Sequence, residues 1–533
     1  MGALTSIDVQ ADTSPASAPS VVPAAEFRSR MGSIGRQSSV YFAGTIFTTA
    51  AGYFFRVYLA RTLGAEGLGL YALGMSMVGF LALFGALGLP MAASRFVAEY
   101  SAKRDYLHLG RLLRGSLAVL VSANTFLAAV LLVAGPWVAV HFYHAPALRP
   151  YFWSFALIMI FGALAAYFGM AMAGYLDVSR RTLITHFFGT PANMILAVTF
   201  ISFGFGLAGY LAAQVVSGFF VAVLLAVYVW KRTPLEVRRS GFSARLERRV
   251  VSFSAAAFSL AAVEFIMGQT DKIVLGYCLS VREVGIYSVA VALTTFVPVA
   301  LQSVNQIFSP TIAEMYASGK HALLQQLYSS LTKWLLALTL PLALTIILFA
   351  HPLLAIFGKA FEVGAAVLVI RTLGELINCG VGSVGYLLLM SGHQREMVKI
   401  QICNAVLMIG TSIVLVPRFG IVGAALASTI SIVVTNVWAL SRVFHRLSLF
   451  PYNASFFKLA MPSLFAAVVL EFVRLRGTPH SAWLLAAVAL TCAYVAFFAI
   501  FTLFGLDNSD RALVRAAWNK ISSNSQKIGV NLA

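Results

Sequence analysis

The chain has 533 residues, of which 60% are hydrophobic and only 11% charged, with a mean hydropathy of +0.85. A soluble domain averages roughly 45–50% apolar and about 25% charged residues, so a water-facing surface cannot be built from this sequence and its solvent is lipid. The net charge of +19 does not point to nucleic acid, because the basic residues sit in short gaps between apolar runs instead of clustering among aromatics on one face.

Residues 1–36 are polar, rich in Ala, Ser and Pro, and lack an apolar signal core; a disordered tail is expected there. Apolar runs follow at 38–60, 68–91, 114–137, 150–173, 183–203, 207–230, 250–278, 285–309, 331–351, 363–390, 399–417, 421–441, 456–473 and 482–506. Each is near the roughly 20 residues that cross a bilayer. Fourteen spans place both termini on one side. Of the 38 Lys and Arg, 28 fall in the loops of that side and 7 in the opposite loops. That bias puts both termini in the cytoplasm, and a multi-pass protein of the bacterial inner membrane is expected.

The chain also repeats itself at an offset of about 215 residues. Leu63 to Tyr71 (LGAEGLGLY) parallels Leu279 to Tyr287 (LSVREVGIY), Val97 to Glu99 parallels Ile312 to Glu314, and Gly206 to Gly209 parallels Gly420 to Gly423. Spans 1–6 therefore recur as spans 7–12 in the same orientation, as parallel repeats about an axis along the membrane normal. The expected organisation is an N-lobe at 37–230, a basic linker at 231–249 and a C-lobe at 250–441. Two added spans at 442–506 and a cytoplasmic tail at 507–533 complete it. Two such lobes enclose a central cavity and can rock about it, which is a transporter's geometry.

Ionisable side chains at mid-bilayer cost about 2.5–3.5 kcal/mol on insertion scales, so each is a functional candidate. Arg371 and Glu375 in span 10 share a face at i, i+4, and Asn378 extends the stripe. They are either a self-satisfied ion pair or a cavity wall whose Arg meets an anionic substrate. Span 7 supplies Glu264 and Asp271, seven residues apart and on one face, with Lys272 close enough to the outer end to snorkel. Gln302, Asn305 and Gln306 in span 8 either glue helices or line the cavity. Arg56 in span 1 is the repeat counterpart of Asp271, and the two are expected to pair as a gate when the outer mouth closes. Glu264, Asp271 and Glu375 are the carboxylates that a coupling proton or Na+ would use, and nothing chooses between the ions. No other cofactor is expected. Gly204 to Gly209 spells GxGxxG but has no βαβ unit around it and reads as a turn. No catalytic triad, P-loop or metal spacing occurs, so enzymatic activity is not expected.

Three stretches carry a family resemblance: Arg56 to Glu99, with LARTLGAEGLGLYALG; Thr270 to Leu293, TDKIVLGYCLSVREVGIYSVAVAL; and Phe419 to Ser428, FGIVGAALAS. Together, over about residues 36–506 and in both lobes, the chain resembles the Wzx-type flippases for O-antigen and exopolysaccharide. These belong to the multidrug/oligosaccharidyl-lipid/polysaccharide exporter superfamily. The resemblance implies an all-α integral membrane fold of about 14 helices in two lobes. It also implies a flippase that moves a polyprenyl-pyrophosphate-linked oligosaccharide from the cytoplasmic to the outer leaflet. Arg56, Lys272 and Arg371 would then meet pyrophosphate or acidic sugars. The implied partners are the lipid-linked oligosaccharide, membrane lipids, and polysaccharide polymerase and assembly proteins. Sibling functions stay open, namely an ion-coupled multidrug exporter and a peptidoglycan-precursor flippase. An exporter of cationic drugs would want a carboxylate-dominated cavity, whereas the spans hold three cations and three carboxylates. A non-transporting scaffold of an assembly complex is the alternative of another class, and free-standing intramembrane charges argue against it.

Overall fold

The computed structural model describes residues 24–239, 246–476 and 482–505, and every described element is a helix. The N-lobe consists of α1 (Ala24–Ala86), α2 (Leu89–Ala102), α3 (Tyr106–His141), α4 (Phe152–Gly174), α5 (Val178–Thr182), α6 (Thr190–Phe200) and α7 (Gly206–Arg232). A short α8 (Leu235–Arg239) lies in the linker. The C-lobe runs through α9 (Arg248–Cys278), α10 (Val281–Thr294), α11 (Val299–Ala317), α12 (His321–Leu348), α13 (Ala350–Ala355), α14 (Ala365–Val381), α15 (Val384–Met390) and α16 (Gln394–Leu447). The last pair, α17 (Ala460–Arg476) and α18 (Ala482–Ile500), packs against α12. Helix α1 begins inside the segment expected as a tail, whereas residues 1–23 and the tail from 507 lie outside the described residues.

Eight described helices are long and apolar enough to cross a bilayer, nine if the pair α10–α11, bent by 51°, is one span. The sequence count of fourteen is higher for a physical reason. Three of the eight, at 47–102, 178–232 and 394–447, run 54 to 56 residues, about 80 Å at 1.5 Å per residue. The hydrocarbon core is only about 30 Å thick. Each long helix is broken at glycines with left-handed φ: Gly64 (69°), Gly204 and Gly206 (87° and 50°), and Gly420 (59°). Only glycine takes that region without a Cβ penalty. Across two of the breaks the arms return side by side, Gly209 against Phe200 and Gly423 against the Leu415 carbonyl. The GxGxxG stretch is thus a turn between helices.

Where the lobes meet on the face away from the linker (the far face), α1 packs along α10. Gly69 and Gly285, repeat counterparts, make this contact. A Cβ on Gly69 would overlap the Val281 carbonyl oxygen, and one on Gly285 would overlap that of Ala65. Arg61 Nε donates to the Ile356 carbonyl at 2.8 Å, and the Tyr53 ring meets Phe296 and Phe357 edge-on. The far face is closed.

On the linker face, the start of α9 is tied to the N-lobe. Arg249 donates to both carboxylate oxygens of Glu99, at 2.9 and 3.2 Å. Tyr100 donates to Glu247 at 2.9 Å, and the His108 ring bridges Asp105 at 2.7 Å and Glu247 at 2.9 Å. The His108 amide, and then its ring, hold the Asp105 carboxyl below its ordinary range, so this contact persists until the pH falls through that lowered value. Exposed ion pairs contribute typically 0.2–1 kcal/mol, so Glu247→Ala is expected to leave the fold intact. It should change the linker-face closed population by no more than about fivefold. Distances between spin labels at Arg111 and Arg395 check this, and a collapse of the fold would show that the clasp is structural.

Lys333, counted with the loop basic residues although it stands at the start of the 331–351 run, lies well inside α12, 2% exposed, its ammonium 5.9 Å above the Phe501 ring. Helix α12 starts at His321, so the basic residue that seemed to flank a span belongs to it.

Candidate functional site

Asp271 and Arg371, predicted separately, belong to one polar knot in the C-lobe. Asp271 is 6% exposed, and the buried Tyr287 donates its hydroxyl to Asp271 Oδ2 at 2.7 Å. The same hydroxyl lies 3.4 Å from Ser428 Oγ, and the Lys272 amide donates to Asp271 Oδ1 at 2.8 Å. The Arg371 guanidinium is near enough to act electrostatically on Tyr287. One turn along α14, Glu375 faces Arg371 at 3.5 Å and accepts from Asn378 Nδ2 at 3.2 Å. The i, i+4 stripe therefore folds into an ion pair. It leaves Arg371 Nε buried without a partner, a donor still to be used inside the lobe.

The N-lobe carries the corresponding knot. Tyr71 is the counterpart of Tyr287, and Gln214 that of Ser428. Gln214 Nε2 donates to the Tyr71 hydroxyl at 2.9 Å and to the Tyr210 hydroxyl at 2.8 Å. Arg56 is exposed and acts electrostatically on Tyr210. Arg56 and Asp271 are thus each engaged within their own lobe. Among the described residues they form no ion pair although the far face is closed, so the expected Arg56–Asp271 gate is not the contact that shuts it. Burial and two donors already satisfy Asp271, and backbone contact at Gly69 and Gly285 closes the seam instead.

The remaining candidates are dispersed. Glu264, midway along α9, is exposed, as is Gln302. Lys272 Nζ donates to Gln269 Oε1 at 3.1 Å. The Gln306 side chain lies outside the described residues.

Asn305 and Asn378 instead line a cavity of about 280 Å³ within the C-lobe, together with Glu375, Gln401, Asn404 and Thr435. The break between α14 and α15, where Gly382 takes φ 73°, forms part of its wall. Tyr287, Ser428, Gln401 and Thr435 escaped sequence reasoning because neutral polar residues within apolar runs also serve as helix glue. Tyr287 had a usable signal, since both repeats retain this Tyr. Among the described residues no group of three or more His, Cys, Asp and Glu could hold a metal.

The polysaccharide biosynthesis protein family matches residues 34–316, more than half of the chain. The chain is similar to the probable low-salt glycan biosynthesis flippase Agl15 of Haloferax volcanii, 20% identical over 406 residues, covering 76% of this chain and 82% of that protein. It is 22% identical over 446 residues to the uncharacterized membrane protein MJ1068 of Methanocaldococcus jannaschii, covering 79% and 86%. Among solved structures, the lipid II flippase MurJ in an inward closed conformation aligns with a TM-score of 0.71 at 15% identity, over 86% of this chain and 98% of that one. An inward-facing MATE multidrug transporter aligns at 0.60 and 17% identity, over 75% and 94%. At these identities the structural likeness establishes the fold, two helical lobes of the kind seen in these flippases and exporters. With a family match spanning most of the N-lobe and the start of the C-lobe, this multi-pass membrane protein belongs to the polysaccharide biosynthesis protein family.

Proposed function

We propose that the protein is a flippase that carries a polyprenyl-pyrophosphate-linked oligosaccharide from the cytoplasmic to the outer leaflet by alternating access. The observation that carries this reading is the seam at Gly69 and Gly285. Two repeat-related lobes touch there backbone to backbone through small residues, a contact suited to opening and closing in each cycle. Family membership and the glycan-flippase relative support the glycan as cargo. The Lys and Arg bias makes the linker face cytoplasmic, so with the far face shut, release of the Glu99 and Glu247 clasp would admit cargo from the cytoplasmic leaflet. Arg56, Lys272 and Arg371 are the cations for the pyrophosphate. Glu264, Asp271 and Glu375 are the carboxylates for a coupling proton or Na+. A polymerase or assembly protein would take the product at the outer leaflet.

The test is reconstitution into vesicles with a polyprenyl-pyrophosphate oligosaccharide in one leaflet, followed by its loss of access to an impermeant glycosidase. Hydrogen bonds to charged groups contribute about 1.5–3 kcal/mol, so Arg371→Ala should lower the rate at least about tenfold. Transfer indifferent to Arg371 would remove it from the cargo path. No transfer of any glycan, with efflux of a cationic dye, would move the protein to drug export. Inactivity towards both would favour a scaffold.

A further inference from the structure

The C-lobe cavity contains three oxygens that are buried without a partner: Asn305 Oδ1 on α11, and Gln401 Oε1 and Thr435 Oγ1 on the two arms of α16. Buried polar atoms are normally hydrogen-bonded, because leaving them unpaired is costly. Three around one space, from three helical arms, mark a place that a ligand completes.

The chemistry of the walls says which ligand. A cation would need an uncompensated carboxylate and free carbonyls at a helix break, and neither is present. Glu375 is taken by Arg371 and Asn378. At the break, the Val381 carbonyl accepts from Tyr328 at 2.8 Å and the Gly380 carbonyl from Tyr452 at 3.1 Å. An anion is disfavoured because no Lys or Arg lines the cavity and its one charged wall residue is the carboxylate Glu375. What remains is a space lined by amide donors and acceptors together with the apolar Met267 and Met397. A sugar ring has this complementary surface, hydroxyls that donate and accept around its rim and C–H faces above and below. Pockets for drug-sized ligands run about 300–1,000 Å³, and about 280 Å³ suits a single ring.

We propose that this cavity seats one uncharged sugar ring of the transported glycan and so selects the cargo. The proposal rests on the flippase reading, and assigns glycan discrimination to the interior of one lobe, apart from the pyrophosphate contacts.

The experiment uses full-length protein in lipid nanodiscs and vesicles with two kinds of probe. One is bare polyprenyl pyrophosphate, and the other is the same carrier bearing a single hexose, deoxyhexose or N-acetylhexosamine. Gln401→Leu and Thr435→Val remove orphaned oxygens with little change of shape. Each is expected to weaken binding of the preferred sugar-bearing carrier roughly three- to tenfold and to leave the bare carrier unaffected. Thr435→Ser, which keeps the hydroxyl, should bind as wild type. Without ligand both variants should melt no lower than wild type, whereas groups with a merely structural role would lower Tm. If wild type prefers no sugar over the bare carrier, or the variants weaken both probes alike, the sugar seat is wrong and the flippase reading stands. If wild type neither binds nor flips any of these probes, both fall.

Discussion

Gly285→Ala and Gly69→Ala are each expected to cut transfer at least about tenfold while leaving the protein folded. The added methyl is the smallest available, but it lands on backbone: the Ala65 carbonyl in one case and the Val281 carbonyl in the other. Backbone held in two packed helices cannot swing aside as a side chain would. Overpacking of this kind costs about 1–3 kcal/mol, and a bias of that size shifts a two-state equilibrium about 5–150-fold. The cost falls only on the state in which the far face is closed, so the variants should rest outward-open. Spin labels at Thr62 and Lys359, both at the far face, should move apart. Gly410→Ala is the control, since its Cβ meets nothing within 4 Å and alanine is the better helix former by about 1 kcal/mol. Unchanged label distances with full transfer in the seam variants would show that closure does not depend on this contact.

The second large effect is expected at Tyr287. Tyr287→Phe deletes one hydroxyl and leaves Asp271, 6% exposed, without its 2.7 Å donor. A hydrogen bond to a charged group contributes about 1.5–3 kcal/mol, so the variant should melt clearly lower and transfer poorly. The repeat-equivalent change, Tyr71→Phe, should cost far less. Gln214 keeps its second bond, to Tyr210 at 2.8 Å, and a neutral pair contributes only about 1 kcal/mol. Thermal melts of both variants in one detergent decide the matter. Equal losses would mean that the hydroxyls matter by packing alone and that the carboxylate has no special claim on Tyr287.

Much of this fold is legible in the sequence because lipid leaves few choices: long apolar runs must be helices, and Lys and Arg mark their ends. The i, i+4 spacing of Arg371 and Glu375 gives their ion pair directly, since two side chains one turn apart on one face meet. The turn at Gly204 is legible through its repeat at Gly420. Lys333 misleads because hydropathy windows locate apolar runs and not helix starts, and α12 begins a dozen residues earlier, at His321. The Arg56–Asp271 pairing fails for another reason. At the 216-residue offset that aligns Leu63–Tyr71 with Leu279–Tyr287, Arg56 falls opposite Lys272, one residue past Asp271, and equivalent places face each other only at the axis between the lobes. Away from it each residue finds partners at home. The orphaned oxygens of Asn305, Gln401 and Thr435 are invisible in sequence, since whether an amide is satisfied depends on helices far apart in the chain.

The Gly69–Gly285 contact has a consequence for how this chain can vary. In an isologous interface a residue at the two-fold axis meets its own counterpart, and here the two subunits are the halves of one polypeptide. The seam is in effect a dimer interface written twice in one gene, so a change in one copy damages a contact that the other copy still needs. Off the axis the copies are free to part, as Gln214 and Ser428 have done. Positions where the halves still spell the same residue should therefore tolerate substitution least, and comparing the chain with itself at the repeat offset is a way to find where its lobes touch.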